Sequence, residues 1–190
     1  MKSIAFITRV HPQRPKMLKV CVSSIKAQTD DDYIHIIFKD DKTENGYRVV
    51  TANKALARVP PIDARYVMIL DDDDMLIEPD FVKILKKTIQ DGNPEIVFFK
   101  GTVLGKGTFP RPEQWRKHPS RGGIASFCFV VRLDVWKKYI HRFNRRSRSG
   151  GDFFFIASCY ENTENHIWLN RIVARTQKRA GKGKAEQEHA

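Results

Sequence analysis

RYVMILDDDDMLIEPDF, residues 65–81, runs a strand-forming apolar segment into four consecutive aspartates and then into a proline that opens the next element. Tyr66 to Leu70 has the length and the β-branched and aromatic content of a buried strand, with no turn former inside it. Pro79 suits the first turn of a helix on which Phe81, Ile84, Leu85 and Ile89 recur at helical spacing, and Gly92 with Pro94 stops that helix. The unit reads strand, acidic turn, helix. In an open α/β sheet such a turn, at the carboxyl end of its strand, borders the ligand crevice.

Working towards the N-terminus, SIAFITR (3–9) predicts a strand bounded by the turn formers of HPQRP (11–15), and Leu18, Cys21, Val22 and Ile25 then fall on one helical face. YIHIIF (33–38) is a second strand leading into the polar loop KDDKTENG (39–46), and RVVTANKALARV (48–59) reads as a helix stopped by Pro60 and Pro61. Beyond the acidic turn, EIVFFK (95–100) supplies a fourth strand. Near-continuous apolar strands alternating with helices predict an α/β fold, a mainly parallel, Rossmann-like sheet with helices on both faces.

The rhythm breaks after Gly101. Residues 102–123, TVLGKGTFPRPEQWRKHPSRGG, read as a long functional loop rich in glycine, proline and base. IASFCFVV (124–131) resumes a strand, LDVWKKYIHRF (133–143) is a helix, NRRSRSGG (144–151) a basic loop, DFFFIASCY (152–160) a buried helix and HIWLNRIV (166–173) a strand. This predicts one domain over residues 1–175, in halves of 1–101 and 102–175, and a basic, frayed tail over 176–190.

With 190 residues, 41% of them hydrophobic and 29% charged, the chain suits a single globular domain. It contains no apolar run of the roughly 18 residues that span a membrane, and no apolar signal core precedes Arg9, so the default expectation is a cytoplasmic protein. Cys21, Cys128 and Cys159 are widely spaced in apolar segments, which fits buried thiols better than a disulfide framework or a zinc site. The net charge of +12 attracts anions: nucleic acid, an acidic membrane surface or a phosphorylated small molecule.

Three polar groups converge on the carboxyl ends of the predicted strands: Thr8 with Arg9, Asp40 with Asp41, and Asp71 to Asp74. Four crowded carboxylates repel one another, and a hard divalent cation, Mn2+ or Mg2+, offsets that repulsion while leaving positions for substrate phosphates. As a solvated charge run, the same aspartates would complement the positive end of the next helix.

The opening FITRVHPQRPKMLKVCVSSIKAQ, the loop KDDKTENG, the segment ANKAL and the run LDDDDMLIEPDF resemble, in order and spacing, consecutive motifs of family 2 glycosyltransferases, which have the GT-A fold. The resemblance covers roughly the first 100 residues. It implies a nucleotide-sugar-binding half followed by an acceptor-binding half. Thr8 and Arg9 would line the nucleotide, Asp40 would bond its base and Asn53 would shape the donor pocket. The family's Asp-x-Asp element falls on Asp71 and Asp73, with Asp73 the favoured metal ligand and Asp71 nearer the ribose. Because all four positions are aspartate, Asp72 or Asp74 fits either role one residue out of register. The glycine-flanked acid of SGGDFFF makes Asp152 the candidate general base of an inverting transfer, and a helix N-cap is its structural alternative.

The resemblance further implies a UDP-sugar donor, UDP-glucose first and GDP-mannose as an alternative, and a saccharide or other hydroxyl acceptor. Arg145, Arg146 and Arg148 would close over the diphosphate, Trp115 would lie in the acceptor loop, and His166 is a candidate extra metal ligand whose bland alternative is a structural role. With TQKRA in place of the Gln-x-x-Arg-Trp motif of the processive synthases and no membrane span, a non-processive enzyme is expected. A nucleotidyltransferase lacks support because RVHPQRP stands where a glycine-rich phosphate loop belongs. A basic nucleic-acid-binding module accounts for the charge, yet the aromatics sit in apolar segments rather than among the cations.

Overall fold

The computed structural model describes residues 1–11, 13–39, 56, 59–144 and 151–177. Among the described residues eight strands and four α-helices follow one another as β1 (Lys2–Val10), α1 (Pro15–Lys26), β2 (Tyr33–Lys39), β3 (Ala64–Ile69), β4 (Asp74–Leu76), α2 (Phe81–Gly92), β5 (Ile96–Val103), β6 (Gly107–Phe109), β7 (Phe129–Arg132), α3 (Leu133–Tyr139), α4 (Gly151–Glu161) and β8 (His166–Thr176). A 3-10 turn, Ile140–Asn144, extends α3. The predicted helix over 48–59 lies outside the described residues apart from Leu56, which is buried, and Val59.

One sheet carries the strands in the order β2-β1-β3-β7-β5-β8-β4, with β6 hairpinned onto β5. The sheet is mixed, which corrects the expectation of a mainly parallel one. Among the described residues, β1–β2, β1–β3 and β5–β8 are parallel, and β3–β7, β5–β7, β4–β8 and β5–β6 antiparallel. Hydrophobic runs report burial and are silent on direction, so the antiparallel insertion of β7 left no mark in the sequence. Two antiparallel steps through β7 turn β5 parallel to β1 and β3, and the carboxyl ends of β1, β3, β5 and β8 therefore share one edge.

Ser3 to Thr8 are buried without a break, and since successive side chains alternate, both faces of β1 are covered. On one face Phe6 packs on Phe81 of α2, whose ring meets Phe99 edge-on at 4.9 Å. Each fully buried aromatic of this kind contributes about 1.5–3 kcal/mol by removal from water. α2 ends on Asn93, whose left-handed φ of 41° lets its N–H reach back to the Ile89 carbonyl.

The segment 124–131 is a strand only from Phe129, because Ser126–Cys128 form a 3-10 turn. β8 runs through Thr176, and the next residue, Gln177, is buried. The three cysteines are buried and free. Among the described residues no helix is long and apolar enough to cross a membrane.

Candidate active site

The β1–β3 ladder continues past the strands into the acidic turn. Leu70 N–H donates to the Ile7 carbonyl at 3.0 Å and Asp72 N–H to the Arg9 carbonyl at 3.4 Å, and Asp74 N–H closes the turn onto the Asp71 carbonyl at 2.9 Å. Asp74 then begins β4, which pairs back onto the end of β8. Gln177 braces the turn from that side. Its backbone N–H donates to the Asp73 carbonyl at 2.7 Å, and its amide Nε2 donates to the carbonyls of Asp72, Asp74 and Met17 at 2.9–3.1 Å.

The four carboxylates meet different surroundings. Asp71 takes a two-pronged ion pair from Arg9, Nε to Oδ1 and Nη2 to Oδ2, both 2.6 Å. Asp72, 2% exposed, accepts the His11 N–H at 2.5 Å and Arg14 Nη1 at 3.1 Å. Arg14, itself buried, also pairs with Asp73 Oδ2 at 2.8 Å. Asp74 is buried. Carboxylate oxygens of Asp71, Asp73 and Asp74 come within 4.8 Å of one another, and Asp72 stands outside that group, held by Arg14 and His11.

Burial raises the pKa of Asp72 to about 7 against the opposing pull of the His11 N–H and Arg14. Asp73 and Asp74 are raised as well, by burial first and then by the neighbouring carboxylates, Asp71 for Asp73, and Asp73 and Asp71 for Asp74. Three oxygen donors this close, two of them holding protons beyond the usual carboxylate range, form a hard-ligand set whose charge a divalent cation would relieve. Asp71, Asp73 and Asp74 thus fit Mn2+ or Mg2+ by chemistry and spacing.

Asp152 opens α4, half-buried, near enough to Arg9 and Asp71 for both to act on its charge. Burial lifts its pKa, Arg9 lowers it and Asp71 raises it further. The Arg9 guanidinium also lies 5.9 Å over the ring of Phe143, which is stacked on Phe155 of α4. The fold therefore brings Arg9, the acidic turn and the start of α4 together although 143 residue numbers separate Arg9 from Asp152.

Thr8 is fully buried behind this edge, and its hydroxyl shares a 2.8 Å hydrogen bond with His35 Nε2 and lies 3.6 Å from Cys21 Sγ. Burial, with Lys26 nearby, pushes the His35 pKa down to about 4, so the ring is neutral and Thr8 belongs to a packed support under Arg9. Asp40, Asp41, Asn53, Arg145, Arg146 and Arg148 lie outside the described residues. His166 starts β8 opposite Ile96, at the other edge of the sheet, where it bonds Thr163 Oγ1 at 2.7 Å and stacks on Tyr160, a structural role. Trp115 is half-buried edge-on to Trp168, with Lys100 Nζ 4.7 Å over its ring.

Sequence reasoning missed His11, Arg14 and Gln177. Arg14 sits in a turn-forming HPQRP segment, and nothing in that pattern announces a buried guanidinium; Gln177 fell in a polar stretch assigned to the tail.

No protein-family model matches the chain, and no curated protein matches it in sequence. Solved structures do match in fold. S. aureus TarS 1-349 superposes with a TM-score of 0.71 at 13% identity over 92% of this chain, and TarS 1-349 in complex with UDP-GlcNAc with 0.70 at 14% identity over 94%. A197 from STIV gives 0.50 at 16% identity over 88% of this chain and 82% of its own. The chain spans 60% of the length of TarS 1-349. Its architecture, a single mixed α/β domain built on one sheet, is shared with these solved structures.

Proposed function

We propose that this protein is a metal-dependent, inverting glycosyltransferase of the family 2 type that moves a hexose from a nucleotide-diphosphate sugar to a hydroxyl acceptor. The observation that carries the reading is the meeting of Asp71, Asp73 and Asp74 with Arg9 and Asp152 at one sheet edge of a fold also found in a structure solved with UDP and with UDP-GlcNAc.

In this reading Asp73 and Asp74, with Asp71, hold a Mn2+ or Mg2+ ion, which supplies Lewis-acid stabilisation of the departing diphosphate when bound. Arg9, already fixed by Asp71, faces the phosphates as a positive wall and orients them. Asp152 takes the proton of the acceptor hydroxyl as its oxygen bonds to the anomeric carbon and the bond from that carbon to the diphosphate breaks. Its raised pKa makes it a stronger base than an exposed aspartate. Asp72 keeps the turn in shape from behind. The donor is a UDP-sugar, UDP-glucose before UDP-GlcNAc, with GDP-mannose the alternative nucleotide.

The test is release of nucleoside diphosphate from UDP-glucose, UDP-GlcNAc and GDP-mannose in turn, with Mn2+ present. Turnover of at least one, stopped by chelator, is expected; no turnover and no binding of any donor would overturn the reading.

A further inference from the structure

The two halves of the chain carry very different charge. Residues 1–101 contain 16 Lys and Arg against 15 Asp and Glu, whereas residues 102–177 contain 14 against 5, one of the five being Asp152. The net +12 is thus concentrated in the half that begins after Gly101. A donor diphosphate does not account for the described part of it, since among the described residues the cations paired with the acidic turn, Arg9 and Arg14, come from the balanced half.

Five described cations of the second half lie on two elements that contact α4, the helix whose first turn holds Asp152. The loop after β6 carries Arg111, Arg116 and Lys117, and it touches the end of α4 where His118 meets Glu161 at 3.0 Å and the Tyr160 ring at 5.3 Å. Helix α3 carries Lys137 and Lys138, and it packs through Trp136 on Phe155 of α4 at 5.3 Å. These five side chains are exposed, and none has a carboxylate partner among the described residues. Arg132 and Arg171, by contrast, are paired with acids. Unmatched exposed cations repel one another, and a bound anion offsets that cost.

We propose that the acceptor is a polyanionic glycan, a saccharide chain bearing phosphate or carboxylate groups, held along the cations of the two elements that contact α4 with one hydroxyl at Asp152. The inference rests on the transferase reading. A nucleic acid fits less well because Trp115, Phe143, Phe155 and Trp168 offer no open stacking platform. Trp168 is stacked on Phe98 at 4.1 Å, Lys100 covers Trp115, and Phe143 and Phe155 are buried.

The test compares phosphorylated dextran, carboxymethyl dextran, neutral dextran, single-stranded DNA and phosphatidylglycerol vesicles at 0.15 M salt, by calorimetry on the full chain. One or both charged dextrans should bind about tenfold or more above neutral dextran, and which one identifies the anion. Two paired reversals, R116E with K117E and K137E with K138E, should each weaken that binding about tenfold, while K83E with K87E at exposed positions of α2 should change it less than twofold. Equal losses from the α2 pair would reduce the effect to overall charge and overturn the proposal, as would tighter binding of DNA, or binding to vesicles alone. UDP-glucose, UDP-GlcNAc and GDP-mannose affinities are measured on the same variants. If no donor binds any form the transferase reading has failed, whereas donor binding without selective polyanion binding overturns only the acceptor proposal.

Discussion

Charge at the acidic turn of this protein is matched and enclosed; on the elements that contact α4 it is unmatched and exposed among the described residues. The acidic turn after β3 is met by Arg9 and Arg14, with Asp72 and Arg14 both nearly inaccessible to water. The cations flanking α4 face solvent without acidic partners among the described residues. An enclosed set of counter-charges fixes geometry to within a few tenths of an ångström, which a diphosphate and its metal require. An exposed array of one sign sets attraction and alignment over a longer reach, which suits a flexible polymer. In the proposed function, the contrast divides the molecule into a precise donor edge and a permissive acceptor face.

The sharpest way to break that division is at Asp152, where the two halves meet. D152N should lower transfer about 10³-fold while leaving donor affinity within about twofold, because it removes a proton acceptor and not a charge needed by the diphosphate. Transfer by the variant at the wild-type rate would return Asp152 to the role of a helix cap.

Next in size is Arg14. With Asp72 and Asp73 as its partners inside the protein, R14A strands two carboxylates and should cost about 3–5 kcal/mol in urea unfolding. A loss under about 1 kcal/mol would mean that this half is no more enclosed than the other. D73N should weaken Mn2+ binding by about 100-fold in titration calorimetry, against less than about tenfold for D72N, since Asp72 stands behind the turn.

The smallest effect is in pH. Burial places the Asp72 pKa near 7, far above its ordinary 3.8, so the folded state holds this proton more tightly than the unfolded chain. The stability from this group is therefore fully present below pH 3.8 and is lost as pH rises through about 7; Asp73 and Asp74 act in the same direction. In chelator this contribution should lower Tm by a few degrees between pH 5 and pH 8. Added Mn2+ should raise Tm more at pH 8 than at pH 5, because the ion binds the ionised carboxylates. Equal stabilisation at the two pH values would contradict the burial of the turn.

Much of the donor edge was legible because local signals agreed there. SIAFITR, YIHIIF and RYVMIL became β1, β2 and β3, and the Phe81, Leu85, Ile89 spacing became α2, which starts at Phe81, two residues past the Pro79 expected to open it. The four aspartates stood at a strand end where a crevice is expected, and they remain there. Which aspartates group together was illegible, since identical residues differ only in what surrounds them: Asp72 is set apart by Arg14 and by an N–H of His11. Past Gly101 the loop after β6 has no period to read, and the direction of β7 depends on where that loop returns the chain. Gln177 shows the same limit. A polar residue next to a lysine-rich stretch looks like tail until β8 carries it under the acidic turn.

The central claim is that this edge binds a nucleotide diphosphate through a metal held by Asp71, Asp73 and Asp74. Calorimetric titration of UDP into the protein, first with Mn2+ and then with excess chelator, tests it most directly. The account predicts binding with Mn2+ that weakens by at least about tenfold in chelator. Binding of equal strength in both would contradict the metal's part in the site, and absence of binding in both would contradict the donor site itself.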